Sequence, residues 1–94
     1  MTPPLTARES ARLKARAHAL EPVVQIGNSG VTDNLVAEVD RALTAHELIK
    51  VRIPLEDREE HATIGAELCA RTGAAAVHLV GKVIILWRPR PKDL

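Results

Sequence analysis

The spacing of hydrophobic positions switches repeatedly between a helical and an extended period. Leu13, Ala17 and Leu20 recur at helical intervals and are expected to point inward beside a polar face of Arg8, Arg12 and Arg16. Thr6 and Glu9 form a capping box, which predicts a helix over 7–19 that stops before Glu21-Pro22. Val23 to Ile26 reads as a short strand. Leu35, Val36, Val39 and Leu43 then return to helical spacing behind Thr32 as N-cap, predicting a second helix over 33–45. Residues 48–53 alternate, with Ile49, Val51 and Ile53 on one face and Lys50 and Arg52 on the other. Pro54 ends that strand. Asp57 as N-cap and Glu60 at N3 open a third helix, whose buried stripe is expected to be Ile64, Leu68, Cys69 and Thr72, with Gly73 as its stop. Strands are expected over 75–80 and 83–88, joined by the two-residue turn Gly81-Lys82, and Pro89 and Pro91 prevent further regular structure.

The resulting order, α-β-α-β-α-β-β, is that of an α/β domain with a mixed four-stranded sheet. Two strand–helix–strand crossovers imply parallel pairs, and the final hairpin adds an antiparallel one. The 94 residues suffice for one domain, with a core over about 6–89. At 46% hydrophobic the chain can bury one core. A single cysteine, Cys69, excludes an internal disulfide and fits a reducing compartment. Residues 1–4 lack the apolar stretch of a signal peptide, and the run from Val83 to Trp87 is too short to span a bilayer. The expectation is a soluble cytoplasmic protein, monomeric and without a cofactor.

Between the first strand and the second helix lies Gly27-Asn28-Ser29-Gly30. Two glycines allow a tight turn and close approach of a ligand to the backbone. The following helix N-terminus offers unpaired N–H groups and partial positive charge. The pair of glycines has two readings: a phosphate-gripping loop, or simply a tight strand-to-helix connection. No Gly-Lys-Ser/Thr follows, which excludes a Walker A loop. A dinucleotide fingerprint would need a third glycine and a ribose-binding acid.

Charge changes the picture further. The net charge of +1 conceals two basic ends and an acidic middle: residues 1–20 and 81–94 each carry +3, and 21–80 carry −5. If the ends meet in the fold, one face is positive and the other negative. The basic set comprises Arg8, Arg12, Lys14 and Arg16 on the first helix, Lys50 and Arg52 on the second strand, and Lys82 and Arg88 around the final hairpin. Each alone reads as a solvated charge; their segregation points to a polyanion bound in a salt-dependent, largely sequence-blind way. With one Trp and neither Phe nor Tyr, the chain cannot stack successive bases on aromatic rings as RRM and OB modules do.

Other chemistry is thin. Glu56, Asp57, Glu59 and Glu60 sit in a helix first turn, where acids are favoured by the dipole. His18, His46, His61 and His78 fall on four elements without ligand spacing, and read as capping, surface or packing residues. Cys69 reads as a small buried hydrophobe. Trp87 reads as packing, with base stacking as the alternative.

In combination, several blocks resemble the CRM domain (chloroplast RNA splicing and ribosome maturation), and more closely its stand-alone bacterial, YhbY-like form. They are Leu13-Lys14 with Ala17-His18 and Leu20, Pro22-Val23-Val24, Gly27-Asn28-Ser29-Gly30, His46-Glu47-Leu48-Ile49-Lys50-Val51, Thr72-Gly73-Ala74, Gly81-Lys82 and Trp87-Arg88-Pro89. The resemblance covers about residues 10–90. It implies a fold similar to the C-terminal domain of bacterial translation initiation factor 3, and RNA binding connected with precursors of the large ribosomal subunit. It also implies a Gly-x-x-Gly loop at Gly27, Asn28, Ser29 and Gly30, and a basic surface at Lys14, Lys50, Lys82 and Arg88. Trp87 stands where the family commonly has Tyr. The expected function is non-enzymatic binding of large-subunit ribosomal RNA. The alternatives are a module docking a ribosomal protein through its acidic helices, and a small enzyme acting on a phosphorylated metabolite.

Overall fold

A computed structural model describes residues 5–27, 29–54 and 58–89. The elements run α1 (Ala7–Ala17), β1 (Pro22–Gln25), α2 (Asp33–His46), β2 (Leu48–Arg52), α3 (Arg58–Thr72), β3 (Ala75–Val80) and β4 (Val83–Trp87).

Local chemistry explains the boundaries. The Thr6 hydroxyl accepts from the Glu9 N–H at 3.1 Å, and the Glu9 carboxylate accepts from the Thr6 N–H at 3.0 Å. These bonds, with Arg12 nearby, hold the Glu9 carboxyl below its ordinary pKa. The helix ends two residues earlier than its pattern predicts. The Leu20 N–H donates to the Ala17 carbonyl in a tighter turn before Glu21-Pro22 forces extended backbone. Leu20, expected to point inward, is therefore 37% exposed. At α2 the Thr32 hydroxyl accepts from the Leu35 N–H at 3.1 Å, as its position predicts. Gly73 ends α3 at φ +76°, with its N–H on the Cys69 carbonyl. The Asp57 cap expected for α3 lies outside the described residues.

The strand order is β1-β2-β4-β3. β1 and β2 pair in parallel, with α2 as the crossover. The second crossover does not place its strands side by side: β4 lies between β2 and β3, antiparallel to both. The hairpin turn has positive φ at Gly81 but not at Lys82, the pattern of a type II′ turn.

Strand alternation divides the core in two. One sheet face packs Val24, Ile26, Ile49, Val51, Ile84 and Leu86 against Leu35, Val39 and Leu43 of α2 and Ile64 and Leu68 of α3. The other face packs Leu48 and Ile85 against Leu13 and Ala17 of α1, with Leu5, Val77 and Trp87 at the margin. The expected stripe of α3 is buried at Ile64, Leu68 and Thr72 and half-buried at Cys69, whose thiol pKa burial raises. His61 and Gly65 join that buried face. A Cβ at Gly65 would collide with the Ile84 Cδ1, so the absence of a side chain at Gly65 makes room for the tip of Ile84.

Candidate nucleic-acid interface

The Gly loop leaves the C-terminal end of β1, and two hydrogen bonds tie its surroundings together. The Ile26 N–H donates to the Arg52 carbonyl at 2.8 Å, and the Ile53 N–H donates to the Lys82 carbonyl at 2.6 Å. The sheet thus brings the loop, Arg52 and the Gly81-Lys82 turn to one end, although they are far apart in sequence. Within the loop the Gly30 N–H donates to the Gly27 carbonyl at 3.1 Å, and Gly30 holds φ +71°. Among the described residues, and apart from the chain neighbours, nothing lies within 4 Å of where a Cβ would stand on Gly27 or Gly30. Neither glycine is demanded by internal packing, though the left-handed backbone at Gly30 favours one there. Asn28 lies outside the described residues.

A shallow groove of about 460 Å³ runs from Gly27, Ser29 and Gly30 over Thr32 and Asn34 to Glu38 and Arg41. Helix geometry directs the first N–H groups of α2 back toward this groove. Asp33, a carboxylate at the same helix end, is ion-paired with Arg71, which offsets its repulsion of a bound anion.

The remaining basic residues separate into groups. Arg8, Arg12 and Arg16 are exposed on α1, with Arg16 bordering a groove at the opposite end of the sheet with His46 and Leu48. Lys14 and Lys50 meet in a cleft between α1 and the sheet, joined by His18 and His78. The two chain ends do meet, since α1 packs on the final hairpin through Leu13 and Ile85.

Arg88 stands apart. Its guanidinium donates to the Asp40 carboxylate at 2.6 Å, the Thr72 carbonyl at 2.7 Å, the Thr44 hydroxyl at 2.9 Å and the Asp40 carbonyl at 3.1 Å. Its side chain is only 20% exposed. The structure therefore gives Arg88 an internal task, bolting the end of β4 to α2 and α3, rather than a place on the basic surface with which the sequence grouped it. Carboxylates of the acidic helices are likewise engaged: Asp40 by Arg88, and Asp33 and Glu67 by Arg71. Trp87 is half-buried against the α1-side cluster, in keeping with packing.

The CRS1 / YhbY (CRM) domain model matches residues 5–88. The chain belongs to the CRM domain family. Among relatives, an RNA-binding protein of Haemophilus influenzae is 40% identical over 85 residues, covering 90% of this chain and 86% of that one. A protein of Pseudomonas aeruginosa named Probable RNA-binding protein is 36% identical over 88 residues, covering 94% and 85%. The solution structure of a hypothetical protein from Staphylococcus aureus superposes on this CRM domain with a TM-score of 0.84 at 26% identity, covering 97% of this chain and 95% of that one. Among the described residues of this CRM domain, no helix is long and apolar enough to cross a membrane.

Proposed function

We propose that this CRM domain binds RNA, that its target is large-subunit ribosomal RNA in assembling particles, and that it acts as a binding factor without catalysis. The observation that carries the binding mode is the convergence of the Gly loop, Arg52 and Lys82 on one sheet end. Loop amides other than that of Gly30, with the N–H groups at the start of α2 that Thr32 does not cap, hold phosphate oxygens. Arg52 and Lys82 add charge beside them. Lys14 and Lys50, with Arg8, Arg12 and Arg16 beyond, extend the positive surface along the α1 face. Phosphate contacts of this kind position a strand without reading its bases, so selectivity comes from RNA shape. The names of the bacterial relatives support RNA as the ligand. The resemblance to the stand-alone bacterial members supports the ribosomal target.

The test is the double substitution Asn28→Asp with Ser29→Asp. Both glycines are retained, and two negative charges enter where phosphate is proposed to lie. Binding to large-subunit ribosomal RNA at low salt is expected to fall by about tenfold or more with an unchanged melting temperature. Co-sedimentation with large-subunit precursors is expected to be lost in parallel. A folded variant that binds and sediments like the wild type would refute the loop assignment.

A further inference from the structure

The cleft between α1 and the sheet is built differently from a phosphate site. It encloses about 300 Å³, at the lower end of the size of small-molecule pockets. Its polar rim is Lys14, His18, Lys50 and His78, with no carboxylate among its lining residues. Its floor is apolar, formed by Val80, Val83 and Ile85. Val80 is 49% exposed, which leaves a branched hydrophobe uncovered in the middle of a cationic surface. Lys50 is not a loose surface lysine, because its ammonium donates to the Leu20 carbonyl at 2.9 Å. That bond holds the head group at the rim while its other two donors stay available.

A duplex presents phosphates and would use the lysines but gain nothing from the valines. An unstacked nucleotide uses both, with its base on the floor and its phosphate on the ammonium groups. The two imidazoles are planar rings beside that floor, in a chain that has neither Phe nor Tyr and whose one Trp is half-buried against the α1-side cluster and does not line the cleft. We infer that this cleft seats one splayed-out base of single-stranded RNA, flanked by His18 and His78 and with its phosphate held by Lys14 and Lys50. This rests on the reading that the domain binds RNA, and it divides the surface between a loop that grips any backbone and a cleft that selects unpaired nucleotides.

The experiment compares the full chain binding a labelled mixed-sequence single strand with the same sequence as a blunt duplex. Val80→Gln removes the apolar floor without changing charge, and His18→Ala with His78→Ala removes the flanking rings. Each is expected to weaken single-strand binding by about fivefold or more and to leave duplex binding within about twofold. In the wild type, with a single strand short enough to admit one binding register, an abasic site moved along it is expected to cost about fivefold at one position, and Val80→Gln is expected to flatten that profile. Equal losses on both RNAs, no loss on either, or a flat wild-type profile would overturn the cleft assignment while duplex binding upheld the RNA reading. Wild-type protein that binds neither RNA but does bind an acidic peptide would overturn both.

Discussion

The two faces of the sheet use the same strands for opposite ends. On the α2–α3 face, Ile49, Val51, Ile84 and Leu86 are buried under two helices, and even a guanidinium there is consumed by Asp40, Thr44 and Thr72. On the other face a single 11-residue helix covers only part of the sheet. Lys50 is half-buried and Arg52 exposed there, between neighbours of β2 that are fully buried on the far side. Among the described residues, the large hydrophobics that remain exposed, Leu20, Val23 and Val80, all lie toward α1. The difference teaches that a period of two lets one strand bury its odd-numbered residues under two helices while even-numbered Lys50 and Arg52 keep access to solvent, with Leu48 the one even position of β2 buried under α1.

That contrast can be broken most forcefully in the core. Leu43→Ala on the fully buried side is expected to cost about 2–5 kcal/mol in urea unfolding, whereas Val23→Ala on the α1 side should cost no more than about 0.5 kcal/mol. Similar losses at the two sites would mean that the faces are not specialised. Gly65→Val probes the tight contact of α3 with Ile84. Overpacking there is expected to remove about 1–3 kcal/mol of stability, while RNA affinity of the folded protein stays at the wild-type value.

Arginines on opposite faces offer a sharper comparison. Arg88→Ala should lose about 1–2 kcal/mol of stability, because the part-buried Thr72 carbonyl loses its donor along with the bonds to Asp40 and Thr44, and should leave the salt dependence of RNA binding unchanged. Arg52→Ala should do the reverse, with stability within about 0.5 kcal/mol and the slope of log affinity against log salt reduced by about 1. If Arg88→Ala moves the slope instead, Arg88 belongs to the interface after all.

The smallest expected effect concerns the cap of α1. The Glu9 carboxyl has a pKa lowered by its bonds to Thr6 and by Arg12. A carboxylate lowered in the folded state contributes fully above its unfolded pKa, and the contribution fades as pH falls through the folded value. Thermal melts of wild type and Glu9→Gln should therefore differ near neutrality and converge in acid below the ordinary glutamate range. A difference that persists unchanged in acid would separate the cap from the carboxylate charge.

Much of this domain was legible before its structure, because the signals are local. Caps at Thr6, Thr32 and Gly73, the alternation of 48–53 and the Gly81-Lys82 turn each depend on a few neighbouring residues, and each is observed. The failures have two causes, one local and one distant in sequence. Leu20 follows the helical wheel of α1, but the approaching proline ends the helix before reaching it. Arg88 looks like any other C-terminal cation, because Asp40 and Thr72 are distant in sequence and nothing local announces them. Gly65 resembles a weak point in a helix until Ile84 is seen across from it. A histidine count could not show that His18 and His78 border one cleft.

By itself, then, the order of residues determined the elements, the Gly loop with its following helix, and the concentration of positive charge at the two ends. Those properties come from backbone preferences and periodicities within one or two turns of chain. Only tertiary structure decided that β4 lies between β2 and β3, that Lys82 and Arg52 stand beside the loop while Arg88 turns inward, and that two lysines and two histidines ring an apolar floor. Such neighbours are set by strand pairing and helix docking across tens of residues, where the free energy of burying apolar faces chooses among arrangements that local chemistry leaves equally open.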